Sequence, residues 1–382
     1  MLAALAGLCG LPTVAHSQLN LLCSAPADWC KLIAEEFGKE TGIKVATASN
    51  GGRAALASLA EQKGKPQADV WFGGSTEAHL RAMKFGLVDE YASPMVTQLQ
   101  PWAQKVAEQS KSTSFGAYAR VVGIGYNSAL ATQKKLAPPA CWKDLVKPGY
   151  AGEVHIANPN ATGSTYFAIA AMAQLFGEEE AFKYLKTMYK APPPSKRGRA
   201  VEPTAVEPKA GAPKAGAPKA GEPKAGAPKG ATMPPGATFS GRAAAAGPNA
   251  AKTPPPVGNA IAGIGYVGDI VAEAEGGAPV KVVVPCEGTV YEVGAVSIVK
   301  GARNLDNAKK FVDWVLSAKG QGLAAKAKQH LYPANTAVPT SALAPKFGEI
   351  KFISYDVARF EKTEARRHLV NRWKQEFGAP VQ

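Results

Sequence analysis

Charge, cysteine and long apolar stretches are all scarce in this sequence, and each shortage closes off a class of protein. Only 19% of the 382 residues are charged, against 46% hydrophobic, a balance that builds globular cores and is ample for two domains. No apolar run is long enough to span a bilayer. Also missing are a Gly-x-Ser-x-Gly elbow, a His-Glu-x-x-His pair and a phosphate-binding P-loop. The histidines are scattered: His16 lies near the front, and His79, His155, His330 and His368 stand alone. Glu287 and Asp269 would make an acid–base pair, but no nucleophile or cofactor motif accompanies them. No enzyme, cofactor or resident metal is therefore expected. There is no adjacent pair of tyrosines, the hard phenolate oxygens that Fe(III) favours.

Residues 1–17 are small and apolar, and Ala15-His16-Ser17 offers a small-x-small cleavage site. This reads as a secretory signal peptide without the usual basic front, with a mature chain from Gln18. Cys9 follows Gly7-Leu8, a poor lipoprotein signal. Cys23, Cys30, Cys141 and Cys286 remain, and in an exported chain four cysteines suggest two disulfides in one of three connectivities. We favour Cys23–Cys30 with Cys141–Cys286, since each pair then stays within one of the units described below.

The net charge of +14 is concentrated. Residues 192–258 hold ten basic and three acidic residues, half of the total. From Pro208 to Gly230 the pentapeptide Pro-Lys-Ala-Gly-Ala recurs, with Glu222 once replacing alanine. Such a stretch cannot bury a core and should be disordered or extended. No aromatic ladder is interleaved with the lysines, which argues against nucleic acid. We read the segment as a tolerated loop insertion, since long surface insertions cost little. A structural role on an anionic envelope surface is the alternative.

Elsewhere strands alternate with helices. Leu19–Cys23, Ile43–Thr47 and Asp69–Phe72 read as strands, each followed by a helix, which defines an α/β unit with a largely parallel sheet. In such sheets ligands lie at the carboxyl ends of the strands, where Ser24, Gly74, Ser75 and Thr76 stand. A second unit is built from the long run Phe115–Asn127, the strand Glu153–Ile156, and helices ending at Gly177 and Tyr189. It resumes after the insert with Ala260–Tyr266, a helix from Asp269 and the strand Val280–Val284. The segment Glu292–Val299 returns to the first unit. Two α/β lobes joined by two crossing strands make a clamp able to close on a solute. Between Ile156 and the apolar run at Phe167, Thr162-Gly163-Ser164-Thr165 opens a helix. Free N–H groups, hydroxyls and the helix dipole there suit an anion, although one hydroxyl that merely caps the helix is the commoner arrangement.

Several segments together resemble the type 2 periplasmic solute-binding proteins of ABC importers, in the branch that spans ferric-iron, hexose-phosphate and organophosphonate binders. They are Cys23-Ser24-Ala25-Pro26-Ala27-Asp28-Trp29-Cys30, Asp69-Val70-Trp71-Phe72-Gly73-Gly74, Pro139-Ala140-Cys141-Trp142-Lys143-Asp144-Leu145, Ala157-Asn158-Pro159-Asn160, 285–292 and 300–311. The resemblance implies a two-lobed α/β fold: lobe one from 18–122 and 292–382, and lobe two from 123–291, interrupted by 192–258. It implies a monomer in the periplasm that delivers a small anionic solute to an inner-membrane ABC permease. By position, Ser24, Gly74, Ser75 and Thr76 would face the cleft from lobe one, and Thr162, Gly163, Ser164 and Thr165 would hold the anion. Asp269, Glu287 and Tyr291 would meet hydroxyls or an amine. The chain departs from the family at Ser49-Asn50-Gly51-Gly52-Arg53, where a basic-Ser-Ser-Gly-Glu element is usual, and at Gly268-Asp269, where His-Asp is common. Phe239-Ser240-Gly241-Arg242 is what resembles the family's basic-Ser-Gly element, on the edge of the repeat insert. Ferric ion is the rival cargo.

Overall fold

The structure is a computed structural model that describes residues 18–160, 162–190, 256–360 and 362–378. The expected leader, most of the insert and Phe239–Arg242 lie outside the described residues. The chain begins β1 (Gln18–Ser24), α1 (Ala27–Thr41), β2 (Lys44–Ser49), α2 (Gly52–Glu61), β3 (Val70–Ser75), α3 (Thr76–Lys84), β4 (Val88–Asp89) and α4 (Pro101–Gln109). It continues through β5 (Phe115–Asn127), α5 (Ser128–Gln133), β6 (Val154–His155), α6 (Gly163–Phe176), α7 (Glu178–Met188) and β7 (Tyr189–Lys190). Then come β8 (Ala262–Tyr266), α8 (Val267–Glu275), β9 (Val280–Val283) and β10 (Tyr291–Val299). The last elements are α9 (Leu305–Leu316), α10 (Ala318–Lys326), β11 (Tyr332–Pro333), α11 (Val357–Phe360) and α12 (Thr363–Phe377).

The local logic is visible in α1. Trp29, Ile33 and Phe37 recur at helical spacing and are buried, and Gly42 in the left-handed region ends the helix with its N–H on the Gly38 carbonyl. Helix α6 differs: Ser164 through Ala173 are all buried, so it runs through the interior. Each large side chain there contributes about 1.5–3 kcal/mol of burial.

The strand order is β2-β1-β3-β10-β5-β8-β6-β7, with β4 on β10 and both β9 and β11 on β5. β5 serves both lobes. Its first half pairs with β10 and β11, and its second half, from Val122, pairs with β8 and β9. β10 is the second crossover: Val290 just before it accepts from the Val122 N–H, and the strand then runs beside β3. Thr289 is buried, donates to the Val122 carbonyl at 2.7 Å, and exchanges backbone bonds with Lys351 and Ile353. The chain therefore passes once more beside the two crossovers on its way to α12.

One core cluster joins β1, β3, α1, α4, α9 and α10. Another gathers α6, α7, β8, Trp142 and, from the chain's end, Phe360, Leu369, Val370 and Trp373. Residues 292–382 were all expected with lobe one, but α11 and α12 pack against the second cluster. Their apolar side chains cover α6 and help bury it, and Arg372 binds Glu178 and Glu179 at the start of α7. The second unit also begins again before Ala260. Val257 is buried, and the Val257 and Gly258 N–H groups donate to Glu273 at 3.1 and 2.7 Å.

Both favoured disulfides are present, Cys23–Cys30 and Cys141–Cys286, with sequence separations of 7 and 145. Loop-closure entropy then ranks them. Replacing Cys141 and Cys286 by alanine should cost about 5 kcal/mol, and replacing Cys23 and Cys30 about 2.5 kcal/mol. Urea unfolding of the two double variants checks this order.

Candidate ligand-binding site

The crossing of β5 and β10 sets the site. Arg120 and Glu292 stand directly opposite in the antiparallel register, so their side chains share a face. Val122 is opposite Tyr266 at the end of β8. The Tyr266 hydroxyl donates to Glu292 Oε2 at 2.7 Å, and the Arg120 guanidinium lies 3.7 Å above the Tyr266 ring. Arg120 also reaches Asp269, in the first turn of α8, at 3.2 Å. Burial works against the charge on Arg120, but Asp269, Tyr266 and Glu292 outweigh it and raise its pKa above the ordinary value. Burial, reinforced by Glu292, holds the proton on Tyr266 well above the usual phenol range.

Two glycines let the parts meet. A side chain on Gly294 would overlap the Tyr118 ring at 2.1 Å, so the bare backbone lets that ring lie across β10 toward Gly74. Burial pushes the Tyr118 phenol up to about 12. A Cβ on Gly163 would stand 2.6 Å from the Tyr266 hydroxyl and 3.8 Å from Glu292 Oε2. The first residue of α6 thus touches the hinge network, and the N-terminal N–H groups of Gly163, Ser164 and Thr165 have no acceptor within the helix. Thr162 makes no side-chain cap; its hydroxyl donates to Thr165 Oγ1 at 2.9 Å.

Across from this, the Ser24 hydroxyl accepts from Trp71 Nε1 at 2.9 Å, Ser75 caps α3, and the Thr76 hydroxyl donates to the Val293 carbonyl on β10 at 2.9 Å. The structure therefore gathers Ser24, Gly74, Ser75, Thr76, Thr162–Thr165 and Asp269 at or beside the crossing strands. It does not bring Glu287 and Tyr291 to them. The Glu287 carboxylate accepts from the Trp142 and Lys143 N–H groups at 2.8 and 3.1 Å, capping the short 3-10 turn there. Tyr291 is opposite Val121 and one residue from Glu292, so the pleat turns it to the other face, where it packs on Phe352 and Phe347. Cys141, Cys286 and Glu287 lie close together, but the joined sulfurs offer no thiolate to a metal.

Sequence reasoning missed Arg120, Tyr118 and Glu292 as site residues. The available signal was a lone arginine in an otherwise apolar strand, which is costly unless it has a partner or a task.

With this geometry established, comparison with known proteins places the chain. It belongs to the bacterial extracellular solute-binding protein family, whose profile matches residues 33–349. It is 33% identical over 364 residues to an uncharacterized protein of Haemophilus influenzae, covering 95% of this chain and 91% of that one. It is similar to the periplasmic binding protein AfuA from Actinobacillus pleuropneumoniae, solved with exogenous fructose-6-phosphate bound. That likeness has 31% identity and a TM-score of 0.64, over 94% of this chain and 98% of the other. Iron-bound HitA from Pseudomonas aeruginosa, at 17% identity and a TM-score of 0.63 over 93% and 99% of the chains, shares the fold alone. The chain is thus a periplasmic solute-binding protein of an ABC importer, which implies a small solute and a membrane permease as partners.

Behind the Gly73–Thr76 turn, His79 is fully buried and stacks on Trp71 at 3.8 Å, with Nε2–H on the Gly73 carbonyl at 2.9 Å and Nδ1 at 2.7 Å from Ser297 Oγ. Burial lowers its pKa from 6.5 to about 4. The unfolded chain takes up the proton first. Stability is therefore complete above about pH 6.5 and falls as the pH drops toward 4, by on the order of 3 kcal/mol. Comparing urea midpoints of the wild type and His79→Gln across that window should show the variant lacking this part of the acid dependence.

Proposed function

We propose that the cleft captures a small phosphate-bearing solute, with a polyol or amine portion against Glu292 and Asp269 and the phosphate at the start of α6. The observation that carries this reading is the contact of Gly163 with the Tyr266–Glu292 pair. The start of α6, with N–H donors for an anion, thereby meets a carboxylate of the kind that accepts from hydroxyls. AfuA, with its bound fructose-6-phosphate, supports the same ligand class. Residues 18–120 and 292–333 supply one jaw of the clamp, and β6–α8 with α11 and α12 supply the other. The protein works as a monomer that presents the closed form to its permease.

Ferric ion is the second reading, because Tyr118, Tyr266 and Glu292 bring hard oxygens to the same crossing. Against it, the Tyr266 proton is engaged with Glu292 and held firmly.

A thermal-shift titration of the mature full chain separates the two. Fructose 6-phosphate at 100 times its Kd should add about 2.7 kcal/mol of stability. Glu292→Gln, which removes the charge that accepts from hydroxyls, should weaken binding about 10- to 100-fold. A response to Fe(III) with none to sugar phosphates, phosphonates or inorganic phosphate would replace the ligand class.

A further inference from the structure

The site above holds its visible cation, Arg120, against Asp269, which leaves the charge of a bound anion to be met from elsewhere. The C-terminal helix α12 supplies a candidate. Arg366 is half-buried and its guanidinium lies 3.9 Å over the ring of Tyr166, in the first turn of α6. Tyr166 is itself fixed, fully buried with its hydroxyl donating to the Phe360 carbonyl. The stack therefore anchors Arg366 beside the helix start that the reading above assigns to the phosphate. Among the described residues no carboxylate comes within 4.0 Å of Arg366 in an ion pair.

The charge of Arg366 is nevertheless felt across the cleft. Glu77 lies in the first turn of α3, two residues after Ser75, and belongs to the opposite lobe. Burial raises its pKa, opposed by the positive charges of Arg81, Arg366 and Arg53 in that order. Glu77 is paired with Arg81 at 3.6 Å along its own helix, so Arg366 is the contribution that comes from the other lobe.

Building on the anionic-solute reading, we infer that Arg366 is a specificity-determining residue: its guanidinium, carried on α12 and braced by Tyr166, binds the phosphate end of the solute. Glu77 is the carboxylate of the other lobe on which its charge acts. A planar guanidinium held by a ring face keeps its N–H edge directed outward, the geometry that favours two parallel bonds to phosphate oxygens. Glu77 then acts against the incoming anion as a like charge, so only a solute able to meet Arg366 overcomes it.

The test is isothermal titration of the full chain with fructose 6-phosphate and with fructose. Arg366→Gln should weaken fructose 6-phosphate about 10- to 100-fold and leave binding of fructose, where measurable, unchanged. Arg366→Lys should retain part of the affinity, and Arg367→Gln on the exposed side of α12 should match the wild type. Glu77→Gln, which leaves Arg366 intact, should tighten fructose 6-phosphate by about 2- to 5-fold. Melting temperatures of all variants verify the fold. Wild-type binding that persists within twofold in Arg366→Gln overturns this inference alone. A wild-type chain that binds no phosphorylated solute overturns the anionic reading and this inference with it.

Discussion

The antiparallel register of β5 and β10 is the constraint on which the site depends. These two strands are both the connection between lobes and the floor of the cleft, so one pairing decides which side chains can meet there. Arg120 opposite Glu292 puts a cation and an acid on one face, and Val122 opposite Tyr266 brings the β8–α8 junction alongside. A slip by one residue would turn Arg120 into the aromatic layer of Tyr291, Phe347 and Phe352. Thr289, with its hydroxyl on the Val122 carbonyl, guards against that slip.

The two lobes contribute different chemistry to this floor. The first offers short loops at the ends of β1 and β3, held by Trp71, His79 and the Cys23–Cys30 bridge. The second offers the buried start of α6 and the acidic first turn of α8. Helix α6 is buried from Ser164 through Ala173, so packing fixes its position and holds its first N–H groups beside the crossing. Rigidity on one side and loops on the other is the arrangement expected of a clamp whose guest is chosen by chemistry near the hinge.

Much of this was legible in the sequence because its signals are local. The helix stop at Gly42, the long apolar run of β5 and the helix start after Thr162 depend on neighbours within a turn or a strand. Both disulfides followed from the expected division into units. Glu287 and Tyr291 show where local reading stops. They flank a tight turn beside Glu292, and only the pleat of β10 and the 3-10 turn at Trp142 decide which of the three faces the crossing. Arg120 was hidden for the opposite reason, since an apolar strand disguises a single polar residue as an exception. The return of α12 to the second lobe depends on packing between residues nearly two hundred positions apart, which no periodicity records.

The late pass of the chain beside Thr289 has a mechanical meaning. Two crossing strands alone form a narrow strap, free to bend and also to twist. With Lys351 and Ile353 bonded alongside Thr289, the strap widens into a ribbon. A ribbon folds readily about an axis across its width but resists torsion and in-plane shear. Any bending of one lobe on the other would then be confined to the axis across that ribbon.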